Sequence, residues 1–532
     1  MRWAPVLLPL LLAAPAAAQA PDPALRLYGN MSGTQTWLVD ANGTTVHSWT
    51  SPRPPGLSVY LRDDGMLLRT INTGFLPGVI GGTGGGLQLQ DLNSQVLWDF
   101  RYDGPGVWSH HDIEALPNGN VLMIAWEDKS PAQAIAAGRD PSLMAGAVFR
   151  PDHIIEVRPS GPTSGDIVWE WHAFDHVIQD VDATKANFGV VADHPELIDI
   201  NYPPIASQAN DWIHMNGVDY DPINDWIVLS ANRLNEVWII DHSTTTQEAA
   251  GHTGGRHGKG GDLLYRWGNP QAYDRGTSAN QQLYGQHSAN IIPEGYPGAG
   301  NVVLFNNNPP IGGSQVLEFV LPVNASGQFV TPAGEPFGPA APIWTHSGGF
   351  RSTVVSSARR ARNGNTLICS GSQGRVFEVT PQGQTVWSEQ IFGSVFHAHY
   401  VEHYLWSDRT SLSSASGGSV NFDLIAGTPH ANQPYVLVGS ASGTSPGTVV
   451  RGVTLPLNRD SYFALTVQSA GFGPFVNSIG LLNSVGRATA RLDIPPGFDL
   501  SGLHLDHAYI AIEPATVQIG LVSNAMPLDL LP

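Results

Sequence analysis

Residues 376–389 read VFEVTPQGQTVWSE: two alternating arms around a Pro-Gln-Gly turn, the second arm carrying a tryptophan. Alternation of apolar and polar side chains at period two is the pattern of a half-buried strand, so this stretch is a β-hairpin. It is not alone. TWLVDANGTTVHSW (36–49), LQLQDLNSQVLWDF (87–100) and IIEVRPSGPTSGDIVWEW (154–171) repeat it, as do the longer versions spanning 237–267 and 316–346. A second hairpin precedes most copies, in HHDIEALPNGNVLMIAWE (110–127), HMNGVDYDPINDWIVLSAN (214–232), HSANIIPEGYPGAGNVVLFNN (287–307) and SARRARNGNTLICSG (357–371). LSVYLRDDGMLLRTI (57–71) is a weaker copy. Two hairpins per repeat, in six repeats, make an all-β chain with a six-bladed β-propeller. The repeats exceed the roughly 40–50 residues of compact propeller families. The surplus falls in loops such as 172–210 and 242–261, which a propeller places on its faces. The closing blade is expected to combine strands from both ends of the propeller.

Composition narrows the function. Charged residues are only 13% of the 532, and Gly is abundant at 59, which suits short strands joined by tight turns. The formal charge is −19 with 26 scattered Lys and Arg, which excludes nucleic acid as a partner. MRWAPVLLPLLLAAPAAAQA (1–20) has a positive start, an apolar core and an Ala-Gln-Ala cleavage site. It reads as a signal peptide, so the expected location is periplasmic or extracellular, with no membrane span. Cys369 is the only cysteine and cannot form an intrachain disulfide. The hairpin repeat stops near residue 408. Residues 21–408 are therefore assigned to the propeller, 409–414 to a Ser/Gly-rich linker, and 415–532 to a C-terminal antiparallel β-sandwich without clustered His or carboxylates.

The histidines mark the candidate site. His111 and His287 each lie six residues before a proline, and His214 lies six before Tyr220 at the Asp221-Pro222 turn. Three repeats thus place His at one equivalent position, and rotational symmetry brings equivalent positions together at the channel. His397 and His399, spaced i, i+2, share a face of the closing segment. The loop residues His172, His176, His194, His252 and His257 read as ordinary. Trp98, Trp169, Trp171, Trp267, Trp344 and Trp387 recur at fixed places and read as wedges between blades. Asp112 and Glu114 are open to two roles, orienting an imidazole or facing solvent. A ring of imidazoles suits nucleophilic transfer, proton transfer or metal binding. No HExxH, Cys pair or Asp-rich loop supports a metal.

HHDIEALPNGNVLMIAWE, DHPELIDINYP, DWIHMNGVDYDP, GQHSANIIPEGYPGAGNVVLFNNN and RNGNTLICSGSQGRVFEVTPQGQTVW together resemble the bacterial arylsulfotransferase (aryl-sulfate sulfotransferase) family over about residues 25–408. The resemblance implies an exported six-bladed propeller. It implies transfer of a sulfuryl group from a phenolic sulfate ester to a phenol through a sulfated histidine, with neither metal nor nucleotide cofactor. His214 in W-x-H-x-N and His287 in QH match family active-site histidines. His111, His397 and His399 are further catalytic candidates, and Asn216, Asn290, Arg351 and Ser356 candidates for binding substrate. The sequence departs from the family after QH, where an arginine is expected and LFNNNPPIGGSQVLEF has none; Gln315 is the nearest polar residue. In the fifth repeat Ser356 holds the histidine position, which leaves His346, His397, His399 or His111 as nucleophile. The partners implied are a small aryl sulfate donor and a phenolic acceptor, and a homodimer is open. Two other functions fit the same residues. One is a non-catalytic exported propeller that binds a sulfated or glycan ligand. The other is a metal-dependent hydrolase or lyase.

Overall fold

The computed structural model describes residues 20–532 except 23, 63–64, 77–78, 80, 92, 145, 205–210, 331–332, 402–403, 428–429, 485 and 498–499. The leader expected over 1–20 lies, apart from Ala20, outside the described residues. Six four-stranded antiparallel sheets form the blades of a propeller. Their inner strands are Val395–Val401, Pro55–Leu61, Val107–Ala115, Met215–Asp221, His287–Ile291 and Ser357–Arg360. Each touches the next and the last touches the first, so the ring is closed. We number the blades 1 to 6 in that order.

Blade 1 is the closing blade. Its three outer strands, Leu25–Asn30, Gln35–Val39 and Thr45–Thr50, come from the start of the described chain. The inner strand comes from the far end of the propeller sequence and pairs antiparallel with the first, Leu25 opposite Val401 and Tyr28 opposite Ala398. This is the mixed closure expected from the sequence.

The outer-strand tryptophans join blades through their indole N–H groups. Trp98 Nε1 donates to Ser164 O at 2.9 Å, and Trp169 Nε1 to Thr244 Oγ1 at 3.2 Å. Trp267 Nε1 donates to Pro339 O and Trp344 Nε1 to Pro381 O, both at 2.8 Å. Each donor sits in one blade and each acceptor in the next. An indole is suited to this: its rings fill the apolar wedge while its single donor finds a fixed partner. Buried ion pairs add a second set of ties, Arg26–Glu378 at 2.6 Å between blades 1 and 6, and Arg360–Glu318 between blades 6 and 5.

Beyond the propeller, two sheets make a sandwich. One contains Tyr404–Ser407, Gly418–Ile425, Arg487–Ile494 and Phe475–Val476; the other is built around His504–Glu513. Three features differ from the sequence reading. Tyr404–Ser407, expected at the end of the propeller, is a strand of the first sandwich sheet, paired with Gly418–Ile425. Residues 411–413, expected as linker, form a strand pairing parallel with Met526–Leu531, so the second sheet is mixed. A helix, Ser461–Gln468, also packs on it, N-capped by the Asp460 side chain. The Ser/Gly composition concealed that short strand because its partner is over a hundred residues away. The sandwich shares a core with blades 1 and 2: Leu27, Trp49 and Leu67 pack with Leu405, Leu424 and Leu528. Among the described residues, no helix is long and apolar enough to cross a membrane.

Candidate active site in the propeller channel

Backbone strain marks one end of the channel. Non-glycine residues at positive φ occur in or just before five inner strands: Leu57, His111, His214, Ser288, and Val355 with Ser356. His111 and His214 have φ of 51° and 55°. The left-handed region costs an L-residue roughly 1–2 kcal/mol, and a β-branched residue such as Val355 is rare there. Strain repeated at similar points of five inner strands marks a place whose shape the fold holds fixed.

The imidazoles of blades 3 and 4 meet. His111 and His214 have ring centroids 4.6 Å apart, edge to face. Phe396, from the inner strand of blade 1, lies 6.0 Å from His111 and 6.4 Å from His287. Two of the three histidines in matching sequence positions, His111 and His287, therefore flank one aromatic ring, and His214 joins them through its contact with His111.

Their hydrogen bonds differ. His214 Nδ1 lies 2.6 Å from Asp211 Oδ2, and the same oxygen accepts from Arg233 Nη2 at 3.0 Å. The other oxygen, Oδ1, accepts Trp126 Nε1–H at 3.0 Å. Burial alone would raise the Asp211 carboxyl, but His214 and Arg233 outweigh it and hold it at about 2. An ionised carboxylate fixes the proton on Nδ1, so His214 Nε2 carries a lone pair. That nitrogen has no protein partner among the described residues, and the His214 side chain keeps 13% of its surface open. The backbone is pinned as well: Asp152 accepts from His214 N and Met215 N, both at 3.1 Å.

His111 Nδ1 lies 2.8 Å from His110 Nδ1, which leaves its Nε2 without a protein partner among the described residues. His110 stacks on Trp126 at 3.7 Å, and its Nε2 lies 2.9 Å from Asp152 Oδ1, off the axis of an N–H donor. The His111 ring lies over Gly82, where an added Cβ would fall 1.9 Å from Cε1. Burial, and then the neighbouring His214 and His110, push His111 well below the usual imidazole range, so it is a neutral base.

His287 is engaged at both nitrogens. Nδ1 donates to Asn307 Oδ1 at 2.8 Å, and Nε2 accepts the strained Val355 N–H at 3.1 Å. Burial holds it neutral, at about 4. His397 and His399 lie further along the blade 1 strand, 5.4 Å apart, His397 buried and His399 part-buried. Among the described residues, both nitrogens of His397 and Nε2 of His399 lack hydrogen-bond partners. His397 Nδ1 is 3.9 Å from Asp112 Oδ1. Asp112 is not solvated: it accepts Tyr60 Oη–H at 2.7 Å and Val218 N–H at 3.2 Å, and burial raises its carboxyl to about 7. Glu114 is part-buried, and desolvation, with Asp219 beside it, pushes its carboxyl well above the usual carboxylate range despite the nearby Arg359.

The other sequence candidates fall elsewhere. Asn216 donates to Gln286 O at 2.9 Å, and Asn290 Nδ2 is shared by the carbonyls of Ser288, Val303 and Ala358, so both side chains hold backbone together. Ser356 Oγ accepts from Gly371 N. Arg351 is exposed on the loop entering blade 6. His346 sits on the outermost strand of blade 5, stacked on Trp344 and Phe350, away from the channel. Gln315 begins a third strand and contacts Asn306. The residues that sequence reasoning missed are Asp211 and Arg233. Asp211 stood three positions before His214 in DWIH, at a spacing a turn brings into contact. Nothing in the sequence ties Arg233 to it.

Among the described residues, the ligand atoms of one His/Asp group lie within 4.8 Å of one another: those of His176, His252 and Asp262, outside this ring.

A family model described as Arylsulfotransferase (ASST) matches residues 33–391, and the chain belongs to this family. No curated protein is significantly similar in sequence. A solved protein of unknown function from Bacteroides caccae is 12% identical, with a TM-score of 0.40 over 71% of this chain and 99% of that one. A putative 6-phosphogluconolactonase from Bacteroides uniformis is 10% identical, with a TM-score of 0.36 over 71% of this chain and 100% of that one.

Proposed function

We propose that this protein transfers a sulfuryl group from an aryl sulfate to a phenolic acceptor, with His214 as nucleophile. The carrying observation is the Asp211–His214 pair, whose outward Nε2 is open beside His111. Nε2 attacks the sulfur, the N–S bond forms, and the S–O(aryl) bond breaks to release a phenolate. Asp211 offsets the positive charge that develops on the imidazole. In the second half-reaction the acceptor oxygen attacks sulfur and the N–S bond breaks. His111 Nε2 takes the acceptor's proton and gives it to the next leaving phenolate. Protons and sulfuryl groups then balance over each turnover. Arg233, beside Asp211, is the cation nearest this chemistry, in place of the arginine missing after the QH motif. The leader-like N-terminus supports a site of action outside the cytoplasm.

The test is release of nitrophenol from 4-nitrophenyl sulfate plus phenol, with acid-quenched protein digested and searched for a sulfated peptide containing His214. A well-folded protein that turns over no aryl sulfate refutes the reading. One observation favours the alternative of a sulfate-ester binder without turnover: both nitrogens of His287 are occupied. That reading predicts saturable aryl-sulfate binding with no nitrophenol released.

A further inference from the structure

We infer that His176, His252 and Asp262 bind a divalent transition-metal cation of the zinc class, at the outer rim of the propeller. The site is separate from the channel histidines and does not depend on the function proposed for them. It lies where the outermost strand of blade 3, Ser164–His172, runs into the short turn Ala173–His176. The long loop after Asp241 folds back over that turn.

The geometry of His176 is the first observation. Its side chain is fully buried, and its ring stacks on Trp171 at 5.6 Å with the planes 5° apart. Nε2 lies 2.8 Å from Ala249 O. A carbonyl oxygen only accepts, so the ring's proton is on Nε2 and the Nδ1 lone pair points the other way. That lone pair faces Asp262 Oδ1 at 2.9 Å. Two electron-rich atoms at that separation, inside the protein, call for a positive charge between them, either a second proton on the ring or a metal ion. His252 brings a third donor: its Nδ1 lies 2.7 Å from the same Asp262 oxygen. An outer carbonyl that fixes the tautomer of a ligand histidine is the usual companion of a metal site.

The loop is shaped for this approach. Residues 250–262 read AGHTGGRHGKGGD, and Gly254, Gly255, Gly258 and Gly260 all have positive φ. Gly261 is required by space: an added Cβ would fall 2.0 Å from Ala249 O and 2.6 Å from His176 Nε2. The Ala249 carbonyl is itself held at the end of a helical turn, Thr246–Ala249, begun by a Thr245/Glu248 capping box. With a single cysteine in the chain, a disulfide cannot staple this loop; a cation can.

Two imidazole nitrogens and one carboxylate oxygen suit zinc and its neighbours, with bonds of about 2.0–2.2 Å. Calcium and magnesium prefer all-oxygen sets. The His252 side chain is 59% exposed, so a water completes the coordination from the solvent side.

The test uses the full-length protein stripped with EDTA and titrated with Zn²⁺ by calorimetry, and with Co²⁺ by visible absorption. We expect one tight equivalent per chain, the intense visible bands of low-coordinate cobalt, and loss of both in His252→Ala and Asp262→Asn. His252 is exposed, so its removal leaves the fold intact, which far-UV circular dichroism verifies. Zinc should also slow cleavage after Lys259 by a lysine-specific protease in the wild type and not in His252→Ala. Absence of a tight equivalent in the wild type overturns the site. Equal binding by both variants overturns it too, because the ion would then be held elsewhere.

Discussion

Replacing Asp211 by Asn isolates what the carboxylate does for His214, because the shapes match and only charge and proton placement change. Trp126 donates to Oδ1, so it fixes which way the new amide turns: its oxygen stays under the indole and its NH₂ occupies the position of Oδ2. That NH₂ then faces His214 Nδ1 and Arg233 Nη2, where the carboxylate had accepted from both. His214 can accept from it only by moving its own proton to Nε2, which removes the lone pair aimed at sulfur. Loss of a positioned acid–base or nucleophilic function of this kind costs about 10²–10⁴ in rate. The effect should fall on kcat, with KM little altered, since substrate contacts are unchanged. Arg233 also loses its counter-charge; breaking a buried pair costs roughly 3–5 kcal/mol, softened here because the arginine is part-exposed. The assay is initial-rate nitrophenol release, paired with thermal melts to keep the two effects apart. If Asp211→Asn melts below the wild type yet turns over near the wild-type rate, His214 does not act through an Asp-held tautomer.

His111→Ala should leave formation of the sulfated enzyme largely intact with a nitrophenyl donor and slow transfer to phenol, read as a larger nitrophenol burst followed by a slower steady state. Gly82→Ala should displace the His111 ring, because the new Cβ falls 1.9 Å from Cε1 and the glycine φ is +75°; activity drops while the fold, by circular dichroism, persists. Asp112, raised by burial to about 7, contributes stability that is fully present below its unfolded value near pH 4 and is lost as pH rises through 7. Asp112→Asn should remove that component, of order 4 kcal/mol at most, so its stability relative to wild type rises between pH 4 and 7 in urea melts. Trp267→Phe keeps the wedge and loses the N–H donated to Pro339, leaving that carbonyl short of a donor; a loss of about 1 kcal/mol in a denaturant melt is expected.

The propeller was legible because each blade repeats its hairpins, and because tryptophan recurs where one blade meets the next. The position of His111 and His214 was legible for the same reason, as repeat symmetry converts matching positions into a shared axis. Symmetry did not reveal chemistry. His287 matches the other two along the chain, yet Val355 N–H closes its Nε2, and that amide points inward only through a left-handed valine that no pattern announces. Asn290 looked like a polar group near substrate, but three carbonyls share its amide. The loop histidines read as ordinary because His176 and Asp262 are 86 residues apart and meet only through a folded-back loop. The strand at 411–413 was hidden by composition: short edge strands of Ser and Leu carry no alternation long enough to detect.

The way blade 1 is completed has a consequence for how the chain is made. During synthesis five sheets and three strands of the sixth can assemble while the ring of blades is still a horseshoe, because the missing inner strand, Val395–Val401, has yet to leave the ribosome. That strand also carries Phe396, which His111 and His287 flank, together with His397 and His399. Ring closure and completion of the channel are thus one event.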